Sequence, residues 1–135
     1  MAALHPNQFR VNEAWIAFQL NDAPIETIHD GSFNCIALMD AASCFILGNA
    51  FVATAAPAPS PAELRRLLKT GWEYMRKYPN TLFVPEGRFE AAVSAEATRR
   101  GIVVIPVQAD QLLTFIGEAR QGFLEFVQRG GGREA

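Results

Sequence analysis

Residues 60–84 read SPAELRRLLKTGWEYMRKYPNTLFV, and this stretch decides the fold. Ser60-Pro61-Ala62-Glu63 is a capping box with proline at the first helical position. The Ser60 hydroxyl can accept from a free backbone N–H while the Glu63 carboxylate reaches back to the cap. Behind it, Leu64, Leu67, Leu68, Gly71, Trp72 and Met75 recur at helical spacing, which predicts a helix to about Tyr78 with that stripe inward. Pro79-Asn80 stops it. The run at 81–84 (TLFV) is wholly apolar, as in a short strand covered on both faces in mid-sheet. A helix leading directly into a buried strand marks an α/β chain.

The pattern continues toward the C-terminus. Pro85-Glu86-Gly87 turns the chain, and 88–100 predicts a helix with Phe89, Ala92, Val93 and Ala97 inward and Gly101 as its stop. The run at 102–107 (IVVIPV) predicts another buried strand, which Pro106 confines to an edge or a strand end. A last helix is expected over about 110–128, with Leu113, Ile116, Phe123 and Val127 on one side. Gly117 and Gly122 each weaken it by about 1 kcal/mol relative to alanine. Gly130-Gly131-Gly132 ends it in a frayed tail. Toward the N-terminus, strands are predicted at 15–20 (WIAFQL), 32–39 (SFNCIALM) and 44–53 (CFILGNAFVA). The turn at 40–43 makes the second and third an antiparallel hairpin. Gly48 suggests a bulge or a close backbone approach, and 54–59 (TAAPAP) is a stiff linker. The order is β-β-β-α-β-α-β-α. It implies a mixed five-stranded sheet with helices on both faces, in one domain over 1–135 with an ordered core of about 13–128.

Half of the 135 residues are hydrophobic, which excludes a disordered chain, and the length suffices for a core without metal or disulfide staples. The net charge of -2 excludes a polybasic binder as the default class. No apolar run spans a membrane, no secretory signal is visible in MAALHPNQFR, and two cysteines make no disulfide framework, so a cytoplasmic protein is expected. Charge is uneven: residues 1–60 carry Arg10 against Glu13, Asp22, Glu26, Asp30 and Asp40. The cations concentrate in the second half.

The stretch Met39-Asp40-Ala41-Ala42-Ser43-Cys44-Phe45-Ile46-Leu47-Gly48 resembles the strand, Asp, tight turn and Gly-containing strand of retroviral integrase and transposase catalytic cores. Leu82-Phe83-Val84-Pro85-Glu86-Gly87-Arg88-Phe89 is similar to their strand, Asp-Asn-Gly turn and Phe-bearing helix. The Gly101-Ile102-Val103 entry also fits. The resemblance spans about residues 15–128 and implies a ribonuclease H-like fold. A second resemblance is to small uncharacterised bacterial domains with a Trp-led first strand, an Asp turn, a Pro-Ser-Pro helix start and a Pro-x-Leu-x-Val strand. Those imply fold and bring no activity with them.

Integrase-type chemistry needs carboxylates holding two divalent ions about 3.5–4 Å apart. The resemblance would put one in the first strand, where Ile16, Ala17, Phe18, Gln19 and Leu20 stand and Asp22 comes after the strand. It would put the second at Pro85, with Glu86 next door. The third would lie on the last helix, which offers Glu118 and Glu125. The weak catalytic candidates are therefore Asp40, Glu86 and Glu118, with Asp40 and Glu86 near one end of the sheet. Asp40 also has a structural reading, as a turn residue binding backbone N–H groups. No cofactor is expected, and Mg²⁺ enters only under the metal-dependent alternative.

Other constellations are plain. His5 and His29 lack partners at zinc-ligand spacing. Cys35 and Cys44, on adjacent predicted strands and able to face each other, read as small core residues. Ser43 and Ser94 lack a histidine in any recognisable motif, and there is no phosphate-binding glycine loop. Arg65, Arg66, Lys69, Arg76 and Lys77 form the one positive cluster. With Glu63 and Glu73 interspersed it reads as a solvated helix face, with phosphate contact as the alternative. The expected function is a non-catalytic binding or assembly module. The alternatives are a nuclease or strand-transferase with displaced carboxylates, or a nucleic-acid-binding module. A homodimer is expected from the aromatic residues Trp72, Tyr74, Phe115, Phe123 and Phe126, because Phe115, Ala119 and Phe126 fall off the stripe of the last helix. A protein partner fits the same reading, and no membrane contact is expected.

Overall fold

The computed structural model describes residues 4–21, 24–29, 31–56, 58–87 and 89–126, without the side chains of Glu118 and Phe126. Its strands are β1 (Ala14–Gln19), β2 (Ile25–Glu26), β3 (Ser32–Asp40), β4 (Ile46–Ala53), β5 (Thr81–Pro85) and β6 (Val103–Val107). Its helices are α1 (Pro61–Met75), α2 (Glu90–Thr98) and α3 (Leu113–Phe126), with 3-10 turns at Pro6–Gln8 and Ala109–Leu112. The expected order holds, with one addition: the sheet has six strands rather than five. The extra one, β2, is two residues long, too short to show a period, and pairs Ile25 with Phe33 and Glu26 with Ser32.

Ile36 pairs with Gln19 of β1 on one side and with Ala50 of β4 on the other. Phe33 likewise sits between Ile25 and Ala53, so β2 prolongs β1 along the same edge of β3. The sheet therefore runs β4-β3-β1-β5-β6, antiparallel through β4, β3 and β1 and parallel through β1, β5 and β6. The expectation of a central β5 holds, and all of Leu82, Phe83 and Val84 are buried.

Alternation of side chains builds two cores. Trp15, Ala17, Ile36, Leu38, Leu82 and Val84 face α1 and α2, which contribute Leu64, Leu67, Leu68, Val93 and Ala97. Ile16, Phe18, Cys35, Ala37, Met39 and Phe83 face α3, which contributes Phe115 and Ile116. Helices thus cover both faces.

The Ser60 capping box forms as expected. The Glu63 N–H donates to Ser60 Oγ at 3.2 Å, and the Ser60 N–H donates to Glu63 Oε1 at 3.2 Å. Ser60→Ala is expected to lower stability by about 1 kcal/mol, read as a lower melting midpoint; an unchanged midpoint would mean the cap contributes nothing. The helix ends at Met75 rather than Tyr78, because Arg76 takes a left-handed conformation at φ 59°. Trp72, expected inward, lies at the exposed edge of the stripe with the Arg76 guanidinium 5.4 Å from its ring centroid. β4 starts at Ile46 instead of Cys44, since Cys44 is also left-handed at φ 60°. Gly48 marks both features its position suggested. The β3–β4 register shifts beside it, and a Cβ there would stand 3.1 Å from Thr70 Cγ2 of α1.

Two expectations about the C-terminal half fail. β6 is an edge strand, as Pro106 required, but it is not buried: Val103 is 61% exposed. The Val103 N–H and the Val107 carbonyl both bond toward β5. Backbone groups alternate in direction along a strand, so Val104 and Pro106 face the open edge, and proline has no N–H to offer there. On the last helix, Phe115 faces inward beside Ile116, Ala119 and Phe123, while Leu113 points out at 56% exposure. Leu112, Phe115, Ile116, Ala119 and Phe123 recur at helical spacing and set the buried stripe, and Leu113 falls outside it. Phe115 therefore cannot serve a dimer surface. Val127 and the glycine tail lie outside the described residues.

Candidate functional site

In open α/β sheets ligands bind beyond the C-terminal ends of the parallel strands. Here that end is formed by β1, β5 and β6. Ile16 is level with Phe83, and continuing this register brings Phe18 level with Pro85. Phe18 is buried beneath α3. Arg120 of α3 donates to the Gln19 carbonyl from Nε at 3.2 Å and from Nη2 at 2.9 Å. Gln19 Nε2 donates to the Asn21 carbonyl at 2.8 Å. Asn21, itself buried, donates from Nδ2 to Asn34 Oδ1 at 3.0 Å and accepts the Cys35 N–H at 2.7 Å. Among the described residues, which do not include Asp22, a guanidinium and neutral amides thus occupy the end of β1.

Glu86 is exposed just past β5, and its N–H donates to the Val107 carbonyl at 2.8 Å, tying β5 to β6. With Ile105, Pro106, Gln108 and Asp110 it lines an open cleft of about 570 Å³. Asp110, which the sequence offered only as the start of the last helix, is thus the acid that shares a cleft with Glu86. Glu118 lies on α3, but its side chain is outside the described residues. Glu125, also on α3, accepts from Gln121 Nε2 at 3.1 Å. Among the described residues, no group of three His, Cys, Asp or Glu side chains is placed to hold a metal ion.

Asp40 is elsewhere. It pairs with Trp15 at the start of β1, and Trp15 is level with Leu82. Glu86 lies four residues beyond Leu82, about 13 Å along the strand direction. The expectation that Asp40 and Glu86 share one end of the sheet is therefore wrong, because β1 and β5 run parallel while β3 returns antiparallel. The fully buried Asp40 carboxylate accepts the Asn12 N–H at 2.7 Å, the Ser43 N–H at 2.9 Å and the Ser43 hydroxyl at 2.7 Å. These bonds fix the turn after β3 and hold Asn12 left-handed at φ 64°. Asn12 in turn accepts the Trp15 indole N–H at 2.6 Å and donates to the Lys77 carbonyl at 3.0 Å. Asp40 thus has the structural role that its turn position suggested. Beside this network lies a polar cleft of about 690 Å³, lined by Arg10, Asn12, Glu13, Lys77 and Asn80 among others.

The basic face of α1 is divided. Arg65 pairs at 3.6 Å with Glu96 of α2, a buried carboxylate that Arg99 and Arg100 also approach, at 3.4 and 3.3 Å. Arg76 sits on Trp72. Arg66, Lys69 and Lys77 are exposed. Glu96 was missed in the sequence, although its spacing to Arg99 and Arg100 is that of helical ion pairs. His5 caps the first 3-10 turn, accepting the Asn7 N–H on Nδ1 at 3.2 Å, and His29 is exposed. Cys35 and Cys44 do not face each other: Cys35 lies five residues before Asp40 on β3, about 17 Å back along the strand. Burial pushes the Cys35 thiol up to about 11, so it is not a ready nucleophile at neutral pH.

No family model matches the chain, and no curated protein matches its sequence. Solved structures match its fold. The catalytic core domain of BIV integrase aligns over 92% of this chain and 74% of its own, with a TM-score of 0.56 and 10% identity. A chain of the simian T-cell lymphotropic virus intasome in complex with PP2A regulatory subunit B56 gamma aligns over 95% of this chain, with a TM-score of 0.54 and 9% identity. This chain spans 44% of the length of that one. The chain has the ribonuclease H-like fold of retroviral integrase catalytic cores. No described helix is long and apolar enough to cross a membrane.

Proposed function

We propose that this chain uses an integrase-type frame as a non-catalytic binding or assembly module. One observation carries the reading: Phe18, Pro85 and the Arg120 guanidinium stand at the sheet end where a two-metal site would need anions. In such a site each carboxylate offsets part of the charge of the ions and fixes them around a scissile phosphate. Phenylalanine and proline supply no side-chain oxygen, and the Arg120 guanidinium bonds the Gln19 carbonyl beside them. Asp40, the buried acid of the turn after β3, is committed to three hydrogen bonds at the other end of the sheet. The same reading gives the chain a protein partner and a place in the cytoplasm.

The alternative, a Mg²⁺-dependent nuclease or strand-transferase, is favoured by the cleft that Glu86 shares with Asp110. Two exposed carboxylates there would hold one ion weakly and leave either the attacking or the leaving oxygen without support. The deciding experiment incubates purified protein with DNA and RNA in Mg²⁺ and in Mn²⁺, beside Glu86→Ala and Asp110→Ala variants. No cleavage and no strand transfer are expected. Activity in the parent that either variant abolishes would overturn the non-catalytic reading. Salt-sensitive retardation of DNA, lost in Arg66→Glu/Lys69→Glu, would instead favour a nucleic-acid-binding module.

A further inference from the structure

The two edges of the sheet are built differently. The β6 edge is blunted, since Pro106 stands where an outward N–H would be. The β4 edge has no such device. The Thr54 N–H bonds to the Ser32 carbonyl, so Val52 and Ala50 also direct their backbone groups toward β3, and Asn49, Phe51 and Ala53 direct theirs outward. The Leu20 N–H bond to the Cys35 carbonyl confirms the phase from the β1 side of β3. Of these outward groups, only the Ala53 carbonyl has a partner among the described residues, the Ala56 N–H.

Edge strands are normally defended by charge, proline or a covering element. Residues 41–62 contain no charged side chain, and β4 contains no proline. Its outward aromatic residue, Phe51, is 51% exposed. Nearby, Phe45 packs edge-on against Tyr74 of α1 at 5.3 Å between centroids, and both rings are exposed.

We propose that β4 pairs antiparallel with β4 of a second copy of this chain, joining two sheets across a two-fold axis. Self-pairing is favoured because an antiparallel edge is complementary to itself: residue i meets j and j meets i. A charge-free strand brings no like charges together when it does so, and offers a nucleic acid or a charged peptide no opposite charge to meet. The phase of the outward groups allows Phe51 to face its own counterpart, with Asn49 opposite Ala53 on either side. Those pairs would exchange the N–H and carbonyl groups that now point outward, and the two Phe51 rings would lie side by side on one face. Because Pro106 blunts the far edge, growth stops at the dimer instead of continuing into a fibre. The surface differs from the one the sequence suggested through Trp72 and Tyr74 of α1 and Phe115, Phe123 and Phe126 of α3, of which Tyr74 lies nearby through its contact with Phe45. It is also independent of the non-catalytic reading, since a cleavage assay of either outcome leaves it standing.

The test is sedimentation equilibrium across a concentration series up to about 100 µM, with circular dichroism and melting as fold controls. The wild-type chain is expected to dimerise. Phe51→Lys and Phe51→Glu, each substituted at an exposed site, are expected to weaken the dimer by about tenfold or more, while Leu124→Lys on α3 does not. Mixing the Lys and Glu variants is expected to restore association as a heterodimer. A wild-type monomer at the highest concentration overturns the proposal. So does a dimer that Leu124→Lys splits and Phe51→Lys leaves intact.

Discussion

Asp40→Ala is expected to lower the unfolding free energy by about 3 kcal/mol, with or without Mg²⁺. The carboxylate is fully buried and accepts three hydrogen bonds, two of them from backbone N–H groups that have no side-chain freedom to find another acceptor. Alanine leaves the Asn12 and Ser43 donors unsatisfied, and each such loss costs about 1–3 kcal/mol. The effect spreads, because Asn12 is the acceptor for the Trp15 indole and the donor to the Lys77 carbonyl. Urea unfolding at neutral pH measures it. A midpoint close to the parent's would show that the turn does not depend on Asp40. A difference between parent and variant that appears only in Mg²⁺, because the ion stabilises the parent alone, would make Asp40 a metal ligand instead.

Trp15→Ala is expected to cost about 4 kcal/mol, within the usual range for deleting a buried aromatic side chain. The ring is fully buried, donates its N–H to Asn12, and meets Tyr78 edge-on at 6.1 Å between centroids. It also explains Gly71 in the middle of α1. A Cβ at position 71 would stand 2.7 Å from Trp15 Cη2 and 2.9 Å from Cζ3. Gly71→Ala therefore gains about 1 kcal/mol of helix propensity and loses about 1–3 kcal/mol to overpacking against a ring that cannot move. A net loss is expected. In the Trp15→Leu background the same Gly71→Ala change is expected to cost less, since only Leu38 Cδ2, 3.1 Å from that Cβ, still crowds it, a non-additivity that a double-mutant cycle reads directly. Equal effects in both backgrounds would show that the ring and the glycine are not in contact.

The element order was legible in the sequence because each long element carried its own punctuation. Ser60 and Glu63 began α1, Gly101 ended α2, and the short turn at Asp40 forced the hairpin. The expected fold agrees with the integrase catalytic cores that match it in structure. What the sequence hid was phase and placement. Leu113 and Phe115 exchanged roles because the stripe centres on Leu112, Ile116, Ala119 and Phe123, so that Phe115 borders it and Leu113 falls outside. α1 ended early because Arg76 adopts a left-handed conformation, which is uncommon for a residue other than glycine. The site was harder still. Whether Asp40 and Glu86 share an end depends on the pairing directions of three strands, information that no single motif holds. Glu96 looked like an ordinary helical glutamate. It became a buried centre for Arg65, Arg99 and Arg100 only because α1 packs beside α2.

Calorimetric titration of the wild-type chain with Mn²⁺, in a buffer that does not chelate it, tests the absence of a two-metal site most directly. The expected result is no saturable uptake of two ions per chain, with at most one weak site that Glu86→Ala or Asp110→Ala removes. Binding of two ions per chain that survives in Asp110→Ala and disappears in Glu86→Ala would contradict it, and would place a catalytic metal centre at the end of β5.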